Sequence, residues 1–232
     1  MVGERDYYEY KKSEFFTQFN EFCNRVGILM EDKYGAEFKN KVIGEIKEEY
    51  ESIFEELPYI GGDGNSLTFD LVSAAQNLAL YKVLKHHTRP LEEIGKLAYQ
   101  AEEEYLSKNR ELIPPMTHPK YIFYIKRAAD ESLKKRYPED WVYEFIDGND
   151  EFDLGTYFTE CGIQKFFHKH GADEFIPYLC AMDIIMSECG NLGLERTQTL
   201  AEGGDKCDFR YKGGRKTKVA STVIKKIKDL SL

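Results

Sequence analysis

Two carboxylates, one guanidinium and three thiols carry the chemistry of this 232-residue chain. Asp183 lies in a segment, residues 173–189, with helical spacing. At about 100° of turn per residue, Ile176, Leu179, Asp183 and Met186 share one arc. A carboxylate inside an apolar arc is either hydrogen-bonded in the core or poised in a pocket with a raised pKa, as a general base would be. Glu160 closes an aromatic strand at an end where a side chain can reach a cleft. It fits a general acid or base and an ordinary strand-end carboxylate equally well. Arg196 opens the run LERTQTLAEGGDKCDFRYK, residues 194–212, in which Gly203-Gly204 suits a tight hairpin turn. A loop of two or four residues sets Arg196 opposite Tyr211, Gln198 opposite Phe209 and Leu200 opposite Cys207 on the apolar face. Glu195–Lys212, Thr197–Arg210 and Thr199–Asp208 then fall on the water-facing side. Arg196 and Gln198 therefore point inward, and a guanidinium taken out of water needs an anionic partner, from the protein or from a ligand.

Of five cysteines, Cys161, Cys180, Cys189 and Cys207 fall in the last third, with no CxxC pair. That spacing does not indicate structural zinc, and no metal or cofactor is expected. Packing thiols are the favoured reading, ahead of a metal site built from Cys161, Cys180, Cys207 and Asp183. A nucleophilic role would need a base or a positive field, which Arg196 could supply to Cys207 or Cys161. His86-His87 and the pair His168 and His170 diverge on their helices and are read as solvated. Gly61 and Gly62, with Asn65, allow either close approach of backbone to a ligand or a plain inter-helix turn capped by Asn65 or Ser66. No Lys-Ser/Thr follows either glycine pair, so neither is a phosphate loop.

The elements that must position these residues are mostly helical at first. Residues 7–30 gather Phe15, Phe16, Phe19, Phe22, Val26 and Leu29 on one side, and residues 37–57 repeat the pattern. Further helices are predicted over 67–87, from Pro90 onward, and over 120–136. From Trp141 the chain turns aromatic around Asp147-Gly148-Asn149-Asp150, predicting two antiparallel strands that join the later hairpin. The expected fold is α+β: a helical region over 1–138 and a helix-and-sheet region over 139–232, one integrated domain with a roughly four-stranded antiparallel sheet. The tail over 212–228 places Val219, Val223, Ile224 and Ile227 on the buried side of a terminal helix with a cationic outer face.

A formal net charge of -9 argues against nucleic acid or an anionic membrane as the partner. Charges interrupt every apolar run before membrane-spanning length, and no leader is visible, so a soluble cytoplasmic chain with reduced thiols is expected. Association into a homo-oligomer is left open.

Several of these stretches together resemble the L-2-amino-thiazoline-4-carboxylic acid hydrolase family. They are Leu57-Pro58-Tyr59-Ile60-Gly61-Gly62 with Asn65; Thr159-Glu160-Cys161-Gly162; Tyr178-Leu179-Cys180 with Asp183; and Arg196-Thr197-Gln198-Thr199-Leu200-Ala201-Glu202-Gly203-Gly204-Asp205 followed by Cys207-Asp208-Phe209-Arg210. The resemblance spans about residues 30–211 and implies hydrolytic opening of a thiazoline ring to an N-carbamoyl cysteine, with a small-molecule carboxylate as substrate. In that frame Asp183 is the first choice as base and Glu160 the second, and Arg196 holds the substrate carboxylate. Gln198 and Asn65 orient the ring, with Gly61, Gly62, Cys161, Cys180 and Cys207 at the site. Two rivals stand beside it: a non-catalytic module that binds or senses a small ligand, and a structural ion pair between Asp183 and Arg196.

Overall fold

The computed structural model describes residues 6–229. Long helices come first: α1 (Tyr7–Tyr34), α2 (Ala36–Glu55), α3 (Leu67–His86), α4 (Leu91–Lys108) and α5 (Pro119–Ser132). The apolar stripes read from the sequence are the ones buried, with Phe15, Phe19, Phe22, Val26 and Met30 of α1 facing Val42, Ile46, Tyr50 and Ile53 of α2. Helix α3 is buried almost all round, through Leu71, Ala75, Leu78, Ala79 and Leu84, which marks it as the central helix.

The second part is a five-stranded sheet in the order β1-β2-β4-β3-β5. Its strands are β1 (Val142–Asp147), β2 (Leu154–Glu160), β3 (Leu194–Arg196), β4 (Cys207–Tyr211) and β5 (Lys218–Val219). The α+β class holds, but the sheet is mixed and larger than the four antiparallel strands expected, because β5 pairs in parallel with β3. Val219 therefore belongs to a strand, and the terminal helix shrinks to α9 (Ile224–Asp229). Thr222 just before it donates from its backbone N–H and its hydroxyl to Glu202, at 2.7 and 2.6 Å.

The hairpin register differs from expectation by two residues: Leu194 lies opposite Tyr211 and Glu195 opposite Arg210. Strand β3 stops at Arg196, and residues 197–206 form a long loop containing a turn of 3-10 helix over Leu200–Glu202. A side chain takes the place of the missing ladder. Asp208 accepts from the backbone N–H groups of Thr197 and Gln198 at 2.8 and 2.9 Å and from the Thr197 hydroxyl at 2.6 Å. Asp208 is thus buried instead of facing water opposite Thr199. A shift of two preserves the pleat, so Arg196 still faces inward.

Helices α6 (Gly162–Lys169), α7 (Ile176–Cys180) and α8 (Met182–Gly190) connect the strand pairs. The single helix expected over 173–189 is broken at Ala181. Helix α4 packs on both α7 and α8 and thereby sets the position of Asp183. That packing depends on Gly95: a Cβ there would sit 1.9 Å from Cδ1 of the buried Tyr178. Replacing Gly95 by Ala must push α7 off α4. We expect Gly95→Ala to lose about 1–3 kcal/mol in urea unfolding, and an unchanged midpoint would show that Tyr178 does not lock the two helices.

Candidate active site

Arg196 is 1% exposed, although it is the largest fully buried side chain among the described residues. One terminal nitrogen, Nη1, donates to Oδ2 of Asp183, and Nη2 donates to the carbonyl of Cys180 at 3.0 Å. The guanidinium carbon stands 5.2 Å from the centre of the Phe209 ring, while Nε is buried with no hydrogen-bond partner. The sequence required an anion for Arg196, and the anion is a carboxylate of the protein itself. With both ends of the fork engaged inside the protein, Arg196 is not open to a substrate carboxylate.

Asp183 is the partner that reaches water, with its side chain 30% exposed. Burial pushes its carboxyl above the ordinary range, and Arg196 pulls it back only in part. A carboxylate made more basic by burial and steadied by a guanidinium is better suited to take a proton than an ordinary surface carboxylate.

The three thiols gather around this pair, close enough for Cys180 to feel Asp183, Cys161, Arg196 and Cys207. Burial raises all three: Cys161 to about 11, Cys180 well above its usual value, and Cys207 likewise upward. The Arg196 field does not compensate, so they are protonated thiols at neutral pH and poor nucleophiles. Among the described residues no group of three or more His, Cys, Asp or Glu is placed to hold a metal ion.

The remaining predicted residues have other duties. Glu160 accepts from Lys135 and Lys165, whose hydrogen bonds hold its carboxyl below the usual range, so it is an ion-paired surface group and a poor base. Gln198 folds over the loop, where its side-chain oxygen accepts from the Asp205 backbone at 3.2 Å instead of pointing inward. Asn65 donates to the Ile60 carbonyl at 2.7 Å and to Asp140 at 2.9 Å, and accepts from Leu67 at 3.1 Å; it staples the loop before α3. Gly61 and Gly62 have φ of 121° and 58°, and the close approaches they permit are to protein: a Gly61 Cβ would lie 3.1 Å from Cβ of Asn65, and a Gly62 Cβ 2.9 Å from the ring of Tyr7.

One acidic residue was missed. Asp70, in the first turn of α3, is exposed to solvent, yet it lies within the electrostatic reach of Asp183, Glu102 and Tyr121. The protein packed around its turn first, and then the like charges of Asp183 and Glu102, push its carboxyl above the ordinary carboxylate range, an effect that its exposure to water tempers. The sequence held little sign of this, because an acid in a helical first turn is ordinary. Two cavities lie elsewhere: about 220 Å³ between Arg110, Met116 and Leu192, and about 470 Å³ between the glutamates of α2 and His86. None of the predicted site residues lines either one.

Among models of known families, the one described as L-2-amino-thiazoline-4-carboxylic acid hydrolase matches residues 69–211, more than half of the chain. The match begins beside Asp70 and takes in Glu160, the three thiols, Asp183, Arg196 and Gln198, but it leaves out Gly61, Gly62 and Asn65. It is shorter than the span of resemblance read from the sequence. No curated protein matches the chain.

The loop that carries the chain away from Arg196 hangs on Asp208, and this yields a pH dependence. Burial alone would raise the Asp208 carboxyl, but the Thr197 and Gln198 donors hold it below the ordinary range. Its contribution to stability is therefore full above the unfolded carboxylate pKa of about 4 and is lost as pH falls through the lower folded value. The stability advantage of wild type over Asp208→Asn in urea unfolding is expected to shrink from about pH 5 to about pH 2. A constant difference across that range would place the effect outside ionisation.

Proposed function

Because the chain belongs to the L-2-amino-thiazoline-4-carboxylic acid hydrolase family, we propose that it opens the ring of a small cyclic amidine carboxylate by adding water, with Asp183 as the base. The observation that carries this reading is the Asp183–Arg196 pair: one partner is sealed in the protein, and the other keeps a face to water.

Water attacks the ring carbon between nitrogen and sulfur, and its proton passes to Asp183 as the C–O bond forms. A ring nitrogen that enters unprotonated takes the proton from Asp183. The tetrahedral adduct then breaks its C–S bond, with the electron pair going to sulfur. The adduct's hydroxyl gives up its proton as the C=O forms, that proton ends on the sulfur, and the product is an N-carbamoyl cysteine. A thiolate departs readily, so activation of water is the main catalytic demand. Arg196 acts on Asp183 and not on the substrate: it fixes the orientation of the carboxylate and keeps it ionised against the effect of burial. The helical part over 1–138 and the helix-and-sheet part over 139–232 work as one unit in this scheme, since α4 of the first part positions α8 of the second.

Incubation of purified protein with 2-amino-thiazoline-4-carboxylate, with released thiol titrated against a protein blank, tests the reaction. Asp183→Asn is expected to lower turnover by about 10²–10⁴-fold while keeping the helical circular dichroism signal. Cys161→Ala and Cys207→Ala are expected to stay within a few-fold of wild type, because neither thiol takes part. An Asp183→Asn variant that turns over at the wild-type rate would remove Asp183 from the role of base, and no thiol release by the wild type would favour ligand binding without catalysis.

A further inference from the structure

The two members of the Asp183–Arg196 pair stand on adjoining elements, α8 and β3, which residues 191–193 connect. The carboxylate meets the guanidinium through one nitrogen, Nη1, and such a contact does not by itself set the angle between helix and strand. A second link does. Ser187 follows Asp183 by four residues, one turn along the same face of α8. It is 0% exposed, and its hydroxyl accepts from the backbone N–H of Leu194 in β3 at 2.9 Å. Strand β5 begins opposite Glu195, one residue too late to serve that N–H, so the serine side chain stands in for a ladder partner.

After that bond the buried hydroxyl keeps one proton and one lone pair. The hydroxyl of Thr217 meets it at 2.7 Å. Thr217 is half-buried, immediately precedes β5, and lies beyond residue 211, where the family match ends. The chain after it braces the same corner. The Ala220 N–H donates to the Arg196 carbonyl at 2.9 Å, and α9 packs on α4, the helix that seats α8.

We propose that Ser187, braced by Thr217, is a positioning residue that pins α8 to β3 and so sets how the Asp183 carboxylate meets Arg196. The role rests on the reading of Asp183 as the base under Proposed function and adds what holds that base in place. Without the pin, α8 keeps its packing on α4 but gains freedom against β3. Among the described residues that act on the Asp183 charge, Arg196 on β3 is the one cation; the others are Cys180 on α7, Cys207 and Tyr211 on β4, and Asp70 on α3. A looser approach therefore weakens the one pull that counters burial, and the carboxyl titrates at higher pH.

Carbon-13 NMR of the Asp183 side-chain carboxyl in the full chain, assigned with Asp183→Asn, reads that titration directly. Ser187→Ala and Thr217→Val are each expected to raise the midpoint by about half a pH unit or more, and Thr217→Ser to restore it. Thr222→Val is the control, because it removes a hydroxyl bond made by the same C-terminal segment, to Glu202, without touching α8. Its midpoint should stay within about 0.2 of wild type. In thiol release, Ser187→Ala and Thr217→Val should lose about tenfold or more in kcat at neutral pH while KM changes by less than about threefold. The rising limb of the pH profile should move up with the midpoint, since the base must be ionised to act. An unmoved midpoint in Ser187→Ala, no restoration by Thr217→Ser, or an equal shift in Thr222→Val would each overturn the proposal. If Ser187→Ala fails to fold, the threonine variants decide alone. The midpoint is read without turnover, so absence of thiol release by the wild type would end the hydrolase reading while the titration still judges the pin.

Discussion

The ion pair between Arg196 and Asp183 is the constraint to which the rest of the second half answers. A guanidinium deprived of water is tolerable only with a carboxylate held against it, and removing either partner strands a charge at a cost of about 3–5 kcal/mol when both are buried. Asp183 keeps some contact with water, so its own exposure lowers that figure. The geometry is nonetheless demanding, because the partners arrive on different elements, β3 and α8, and both must be placed independently. Gly95 lets α7 and α8 settle on α4, and the Asp208 hydrogen bonds turn the chain away directly after Arg196. The pair is the meeting point of those two devices.

Much of this was legible in the residues. Helical periodicity located the first five helices within a few residues, because their apolar stripes are regular and because Gly35, Pro90 and Pro119 mark boundaries between them. The arc argument put Asp183 on an apolar face, and the expected polarity of the hairpin put Arg196 inside. The register was beyond reach. A row of alternating residues around Gly203-Gly204 fits a tight turn, and only the coordinates show Asp208 satisfying backbone groups that a ladder would otherwise serve. Likewise Val219 has the spacing of a helix when read along the chain, but a partner strand distant in sequence claims it. Asp70 is the clearest case: its neighbours come from three other helices, and no local pattern announces an encounter of that kind.

The cysteines show how one environment serves opposite ends. The low-polarity surroundings that raise Asp183 toward useful basicity also raise Cys161, Cys180 and Cys207, and so keep them from becoming thiolates. A carboxylate gains a function from desolvation, whereas a thiol loses one. Chemistry at this place therefore passes to oxygen acids, with the sulfur atoms serving as compact apolar filling.

The short parallel strand β5 has a bearing on solubility. Lys218 and Val219 pair with Glu195 and Arg196, so the strand that bears the guanidinium is an inner member of the sheet and not its margin. The margin passes instead to a segment two residues long with a lysine on it, too brief and too charged for a stray chain to zip along. By the same token, the backbone of Arg196 is shielded from invasion by extended peptides: its carbonyl accepts from the Ala220 N–H at 2.9 Å.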